Sequence, residues 1–192
     1  DRLRAAPRLV FPRVDFRLEN SGSRHRFGLR AEAPKALASP RDLRGDIELA
    51  RGEALSRAHG SLYAGIDYVD LDRWQAWVDS PVVFSRGLGG LRVWLDLARG
   101  GVVQSVAADL ALRELGVRFA PELARIDLAR LTGRLRFARS DDGWQLDGHE
   151  ITLATTDGAD MNSTDFRMMH TQRKGRAARN EFSASNLDLG VL

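Results

Sequence analysis

The sequence predicts a mainly β protein, an antiparallel sheet of about ten to twelve strands with one short helix near residues 70–79. Apolar and polar residues alternate with a period of two through most of the chain. Clusters of Gly, Pro, Asn, Asp and Ser interrupt the alternation at short intervals. The connections between periodic segments are mostly too short for βαβ crossovers, so neighbouring strands run antiparallel.

The first strand signal is Val14, Phe16 and Leu18 set against Asp15, Arg17 and Glu19. A turn at Asn20-Ser21-Gly22-Ser23 leads to Phe27 and Leu29, which alternate with Arg26, Gly28 and Arg30. After Ser39-Pro40, the residues Leu43, Gly45, Ile47 and Leu49 oppose Asp42, Arg44, Asp46 and Glu48. In Asp70–Asp79 the spacing changes: Leu71, Trp74 and Val78 recur at helical intervals, Asp70 is placed to cap and Pro81 to stop. This helix is expected to pack over an end or edge of the sheet.

The stretch Arg86-Gly87-Leu88-Gly89-Gly90-Leu91 follows, and its glycines raise the question of a phosphate-binding loop. A dinucleotide fingerprint needs a glycine six positions in and a helix afterwards; counted from Gly87 the sixth residue is Arg92, and a strand pattern follows. Gly87, Gly89 and Gly90 are therefore read as a tight turn or bulge at the start of a strand. Leu91, Val93, Leu95 and Leu97 oppose Arg92, Trp94, Asp96 and Ala98, and Val106, Ala108, Leu110 and Leu112 oppose Ala107, Asp109, Ala111 and Arg113. Leu135 and Phe137 then alternate with arginines, and Ile151 and Leu153 with Thr152 and Ala154, with turns at Ser140–Gly143 and Asp157-Gly158. Each strand has one apolar and one wet face.

Composition excludes several classes of function. There is no cysteine, hence no disulfide, thiolate metal site or cysteine nucleophile. The isoelectric point is near 9.9. Net charge, however, is only +3, from 29 basic and 26 acidic residues that alternate closely, which argues against a nucleic-acid surface. The densest basic run, Gln172–Arg179, reads as a solvated loop between strands. The longest stretch free of Asp, Glu, Lys and Arg is nine residues, too short to span a bilayer as a helix. Because the chain begins at Asp1, a lost N-terminal anchor or signal stays open.

Catalytic chemistry finds no support in the spacing. His25, His59, His149 and His170 lie far apart, and neither a hydrolase elbow nor a Walker loop occurs. The acidic stretches Asp67–Asp72 and Asp157–Asn162 lack the EF-hand pattern. The expectation is a non-enzyme without metal or cofactor. Among the tryptophans, Trp74 and Trp77 suit a helix anchor or a carbohydrate platform, Trp94 falls on a polar face, and Trp144 starts a strand.

Several motifs in fixed order resemble a known family. They are Gly60–Asp67, Asp70–Trp74, Arg86–Leu95, Ala108–Leu112, Leu131–Leu135 and Ala184–Leu189, spread over residues 24–192. Together they resemble the YhdP family of AsmA-like, TamB-related proteins. Two segments depart from that pattern, Pro121-Glu122-Leu123 and Asp160-Met161-Asn162. The resemblance implies that residues 1–192 are a single β-rich domain, a fragment of a longer repeating β-groove protein. It implies an inner-membrane-anchored protein of the Gram-negative periplasm that carries phospholipid toward the outer membrane and serves outer-membrane biogenesis, without catalytic residues. The expected partners are phospholipid acyl chains, neighbouring groove segments of the same chain and the membrane through an N-terminal anchor. The expected groove lining is Leu91, Val93, Leu95, Leu97, Val106, Leu110, Leu112, Phe137, Leu146, Ile151 and Leu153.

The same alternation also builds a closed β-sandwich, a structural or adhesive module that binds protein or glycan. A glycan-active enzyme using dispersed carboxylates is a third reading, without a constellation to name. What separates the first two is whether the apolar faces meet one another.

Overall fold

The computed structural model describes residues 8, 10–32, 41–48, 59–76, 83–99, 102–118, 122–173 and 175–186. Within these, ten strands form one sheet in the order of the sequence, each antiparallel to the next. They are β1 (Arg13–Ser21), β2 (Arg24–Glu32), β3 (Arg41–Glu48), β4 (His59–Asp70), β5 (Val83–Ala98), β6 (Val102–Arg118), β7 (Ile126–Ser140), β8 (Gly143–Thr155), β9 (Asp160–Thr171) and β10 (Arg179–Ala184). A single described helix, α1 (Leu71–Trp74), joins β4 to β5. Among the described residues β1 pairs only with β2 and β10 only with β9, so the sheet they form is not closed.

The mainly β, antiparallel architecture with one short helix follows from the alternation, but two sequence readings need correction. Of the two alternatives for Gly87, Gly89 and Gly90, the turn is excluded and the bulge stands: they lie inside β5, which begins already at Val83. Pairing with β6 shifts on either side of Arg86, so Gly87 sits in a bulge. Gly87 and Gly89 have φ of +156° and +145°, conformations that side chains rarely adopt. A Cβ on Gly89 would lie 2.0 Å from the Ala111 carbonyl oxygen, so β6 crosses there at a distance only glycine allows. The helix is also shorter than 70–79: its described residues are Leu71–Trp74, while Trp77, Val78 and Pro81 lie outside the described residues.

Bulges also explain why the longest strands depart from period two. Glu114 and Glu150 have φ near +50°, each taking one extra residue out of the ladder. Leu112 and Leu115, three apart, thus reach the same face, as do Gly148 and Ile151.

The buried core is small and lies at one end of β5–β8. Leu112, Leu115, Val117 and Leu128 form it, with Leu71 of α1 and Phe84 packed against them. α1 is fastened over this corner at both ends. The Asp70 carboxylate accepts from the Arg73 amide at 3.3 Å and caps the first turn. Gln75 brackets Phe84 of β5: Phe84 N donates to Gln75 Oε1 at 2.8 Å and Gln75 Nε2 donates to the Phe84 carbonyl. The side chain thereby satisfies backbone groups that β4 leaves unpaired, since β4–β5 pairing ends at Asp70–Leu88.

Candidate functional site

Register turns the alternation of ten separate strands into one surface. Leu18 stands opposite Phe27, which pairs in turn with Gly45, Leu62, Leu95, Val106, Phe137, Leu146, Met168 and Phe182, one residue from each strand. That row crosses all ten strands without a polar residue. A second row two residues along runs from Phe16 through Leu29, Leu43, Ala64, Val93, Ala108, Leu135, Gly148 and Phe166 to Ala184, and is apolar as well. Antiparallel partners share a face, so both rows lie on the same side of the sheet.

No second layer lies over this face among the described residues. Each strand's principal contacts are with its sequence neighbours, and α1 lies mainly against β5 and β4, with Leu71 reaching the Leu112–Leu128 cluster. The consequence shows in exposure. Phe16 is 62%, Leu18 50%, Phe182 57% and Met168 38% exposed, whereas members of the middle strands are partly buried by flanking side chains. A β-sandwich would bury such residues against a facing sheet. The described chain has none, so it does not fold as a closed sandwich by itself.

Of the residues expected to line a groove, Leu91, Val93, Leu95, Leu97, Val106, Leu110, Phe137, Leu146 and Leu153 are partly buried on this face. Leu112 and Ile151 share the face, but at 5% exposure each they belong to the protein's interior and are not available as lining. The sequence reading omitted Phe16, Leu18, Phe27, Leu29, Leu62, Leu131, Leu135, Phe166, Met168 and Phe182. Most of these carried the period-two signal, and only the register shows that they continue the surface.

The opposite face is ionic. Arg134 donates to both carboxylate oxygens of Asp109, from Nε at 2.5 Å and from a terminal nitrogen at 2.9 Å. That bond holds the Asp109 carboxyl below its usual range and raises Arg134. At Asp147, burial pushes the carboxyl up, and hydrogen bonds from Arg167 (2.6 Å) and Gln145 (2.7 Å) outweigh it, so its pKa is also lowered. Trp94 sits among these charges at 37% exposure, 5.3 Å from the Tyr63 ring, with the Arg134 guanidinium 5.4 Å from its centroid. α1 packs on the apolar side, so it does not cover Trp94. Tyr63 and Trp94 also line a recess of about 470 Å³ with Arg26, Ser61 and Asp96.

His149 and Glu150 converge on one acceptor: His149 Nδ1 at 3.0 Å and the Glu150 amide at 2.7 Å both donate to Asp165 Oδ1. The Glu150 amide contributes most to lowering the Asp165 pKa. Among the described residues no three His, Asp or Glu side chains are grouped to hold a metal ion. No helix there is long and apolar enough to cross a membrane.

No curated protein and no solved structure matches the chain. The family model described as "YhdP protein" matches residues 11–192, a span that takes in the whole sheet from Arg13 to Ala184. With that match and the motif order noted above, this chain belongs to the YhdP protein family.

Proposed function

We propose that the chain is a segment of an inner-membrane-anchored periplasmic bridge that shields phospholipid acyl chains in an apolar β-groove on their way to the outer membrane. The observation that carries this reading is the pair of apolar rows crossing ten strands with no covering layer among the described residues. Membership of the YhdP family supports a role related to lipid transport. A contiguous exposed apolar surface of this kind is costly in water and signals a partner that covers it.

The dimensions suit an acyl chain. Nine strand spacings of about 4.8 Å carry the rows over about 40 Å, against roughly 15 Å for one leaflet of a bilayer's hydrocarbon core. Along β5 the positions Leu91, Val93, Leu95 and Leu97 span about 20 Å, wide enough for two chains side by side. Acyl chains would slide along this surface because no directional bond has to break between one strand and the next. The outer edges of β1 and β10, unpaired among the described residues, leave backbone groups for neighbouring segments of the same protein to extend the sheet and its rows.

The test is mass spectrometry of gently purified protein together with a dye that fluoresces on apolar surface. Copurifying phospholipid, and strong dye binding once lipid is stripped, are the expected results. A lipid-free protein that leaves the dye dark would overturn the reading.

A further inference from the structure

Over β7–β10 the apolar rows end on one side against a row of different chemistry. Two residues beyond Phe137, Leu146, Met168 and Phe182 along their strands stand Arg139, Trp144, His170 and Asn180. Arg139 pairs with Trp144, Trp144 with His170 and His170 with Asn180. Ring contacts show that the shared face persists. Trp144 lies 6.3 Å from Phe137 and stacks on His170 at 5.8 Å with the planes 15° apart.

Arg139 gives this row a standing positive charge. Asn180 Oδ1 lies 2.7 Å from His170 Nδ1 and can only accept, so Nδ1 carries a hydrogen; Nε2 then accepts in the neutral ring and donates to an anion only when the ring is protonated. Arg139 is exposed, and among the described residues no carboxylate pairs with it. Of the two acids in the adjoining turn, Asp142 is held by Arg173 at 3.2 Å. The row itself contains no Asp or Glu. At its other end, on β1 and β2, Asn20 Oδ1 orients His25 Nδ1 in the same way at 2.8 Å.

The other boundary of the apolar face differs. There α1 and the Leu112–Leu128 cluster close the surface with the protein's own side chains. An amphiphile on this face thus has one closed, oily side and one open side bearing donors. We propose that the open row is a headgroup ledge. Arg139 receives the phosphate of a phospholipid, His170 joins it through Nε2–H when its ring is protonated, Trp144 lies at the level of its glycerol, and the acyl chains rest on Phe137, Leu146 and Met168. A guanidinium offers two parallel donors to a phosphate, and tryptophan suits a boundary that is oily on one side and wet on the other. The ledge rests on the acyl-chain reading given above and adds a preference for a phosphate-bearing headgroup.

The experiment uses the whole chain, stripped of lipid. It is incubated with vesicles holding equal amounts of phosphatidylglycerol and of diacylglycerol with the same acyl chains. Bound lipid is quantified by mass spectrometry after the vesicles are removed. The wild type should favour phosphatidylglycerol. The double variant Arg139→Gln/His170→Gln should lose about five-fold of that preference, with total lipid and urea midpoint unchanged. Leu146→Asp should lower both lipids alike. An unchanged ratio in the double variant overturns the ledge and leaves the acyl-chain reading standing. Competition by millimolar inorganic phosphate also overturns it, since a soluble-anion site would then account for the contacts. Uptake of neither lipid by the wild type removes the acyl-chain reading and the ledge with it.

Discussion

Aspartate at Val93 sets a carboxylate in the middle of the apolar face, opposite Ala64 on β4 and Ala108 on β6. Full burial of a valine is worth about 1.5–3 kcal/mol, and aspartate's poor fit to a strand costs up to about 1 kcal/mol more. Val93 is only partly buried. Nothing among the described residues lies above it, so the new carboxylate keeps access to water. The expected loss for Val93→Asp is therefore about 2 kcal/mol. Leu112→Asp supplies the contrast. Leu112 is 5% exposed within the closed cluster under α1, where a carboxylate has neither water nor a partner. Its cost should reach at least about 4 kcal/mol, or folding should fail. Urea unfolding of the two variants beside the wild type measures both, with the slope as a check that the same surface is exposed on unfolding. Equal, large losses at Val93 and Leu112 would refute the reasoning, because they would mean that the central row is covered as thoroughly as the core.

Three further expectations follow from other contacts. Gln75→Ala removes both bonds to the Phe84 backbone, and should cost about 1–2 kcal/mol and speed hydrogen exchange at the Phe84 amide while β7 and β8 stay protected. Gly89→Ala should destabilise by at least about 2 kcal/mol, since its Cβ would collide with the Ala111 carbonyl at a φ of +145°; thermal unfolding reads it. The Asp109 and Asp147 carboxyls have folded pKa values below their unfolded ones. Their contribution to stability is thus present above the unfolded aspartate value of about 3.9 and is lost as pH falls through the lower folded values. The urea midpoint should hold steady from neutral pH to about 5 and fall below about 4. Asp109→Asn should lower the neutral midpoint and flatten the acid limb.

Much of the fold was legible because each half-wet strand writes its two faces into alternate residues. Val14–Leu18 and Leu91–Leu97 carry that signal plainly, and their apolar members face the same way. Where a bulge inserts a residue the period slips, and reading by parity fails. Glu114 separates Leu112 from Leu115, and the glycines before Leu91 conceal that β5 has already begun at Val83. β9 was expected only as the strand before the basic loop, and its two faces were illegible for a related reason. Its inward residues, Met161, Thr164, Phe166 and Met168, change phase across Asn162-Ser163, and Met169 puts an apolar residue on the other face. The short helix was found from the Asp70 cap and the Leu71–Trp74 spacing, but its role as a cover needed Gln75, whose bracket on Phe84 has no local signature.

Burial was the least legible property. Leu112 and Ile151 look no different in sequence from Leu110 and Leu153, and only the bulges and α1 decide which of them the protein covers. The ledge was beyond reach altogether. Arg139, Trp144, His170 and Asn180 come from four strands, and nothing in any one strand says that register places them side by side.

The most direct measurement walks a photocrosslinking amino acid along β5, one position at a time, in protein loaded with phospholipid. Lipid adducts are predicted at positions 91, 93, 95 and 97, and none at 92, 94 and 96, where Arg92, Trp94 and Asp96 face the ionic side. Adducts spread evenly over both sets, or odd positions that capture only other segments of protein, would contradict an apolar face kept open for a lipid.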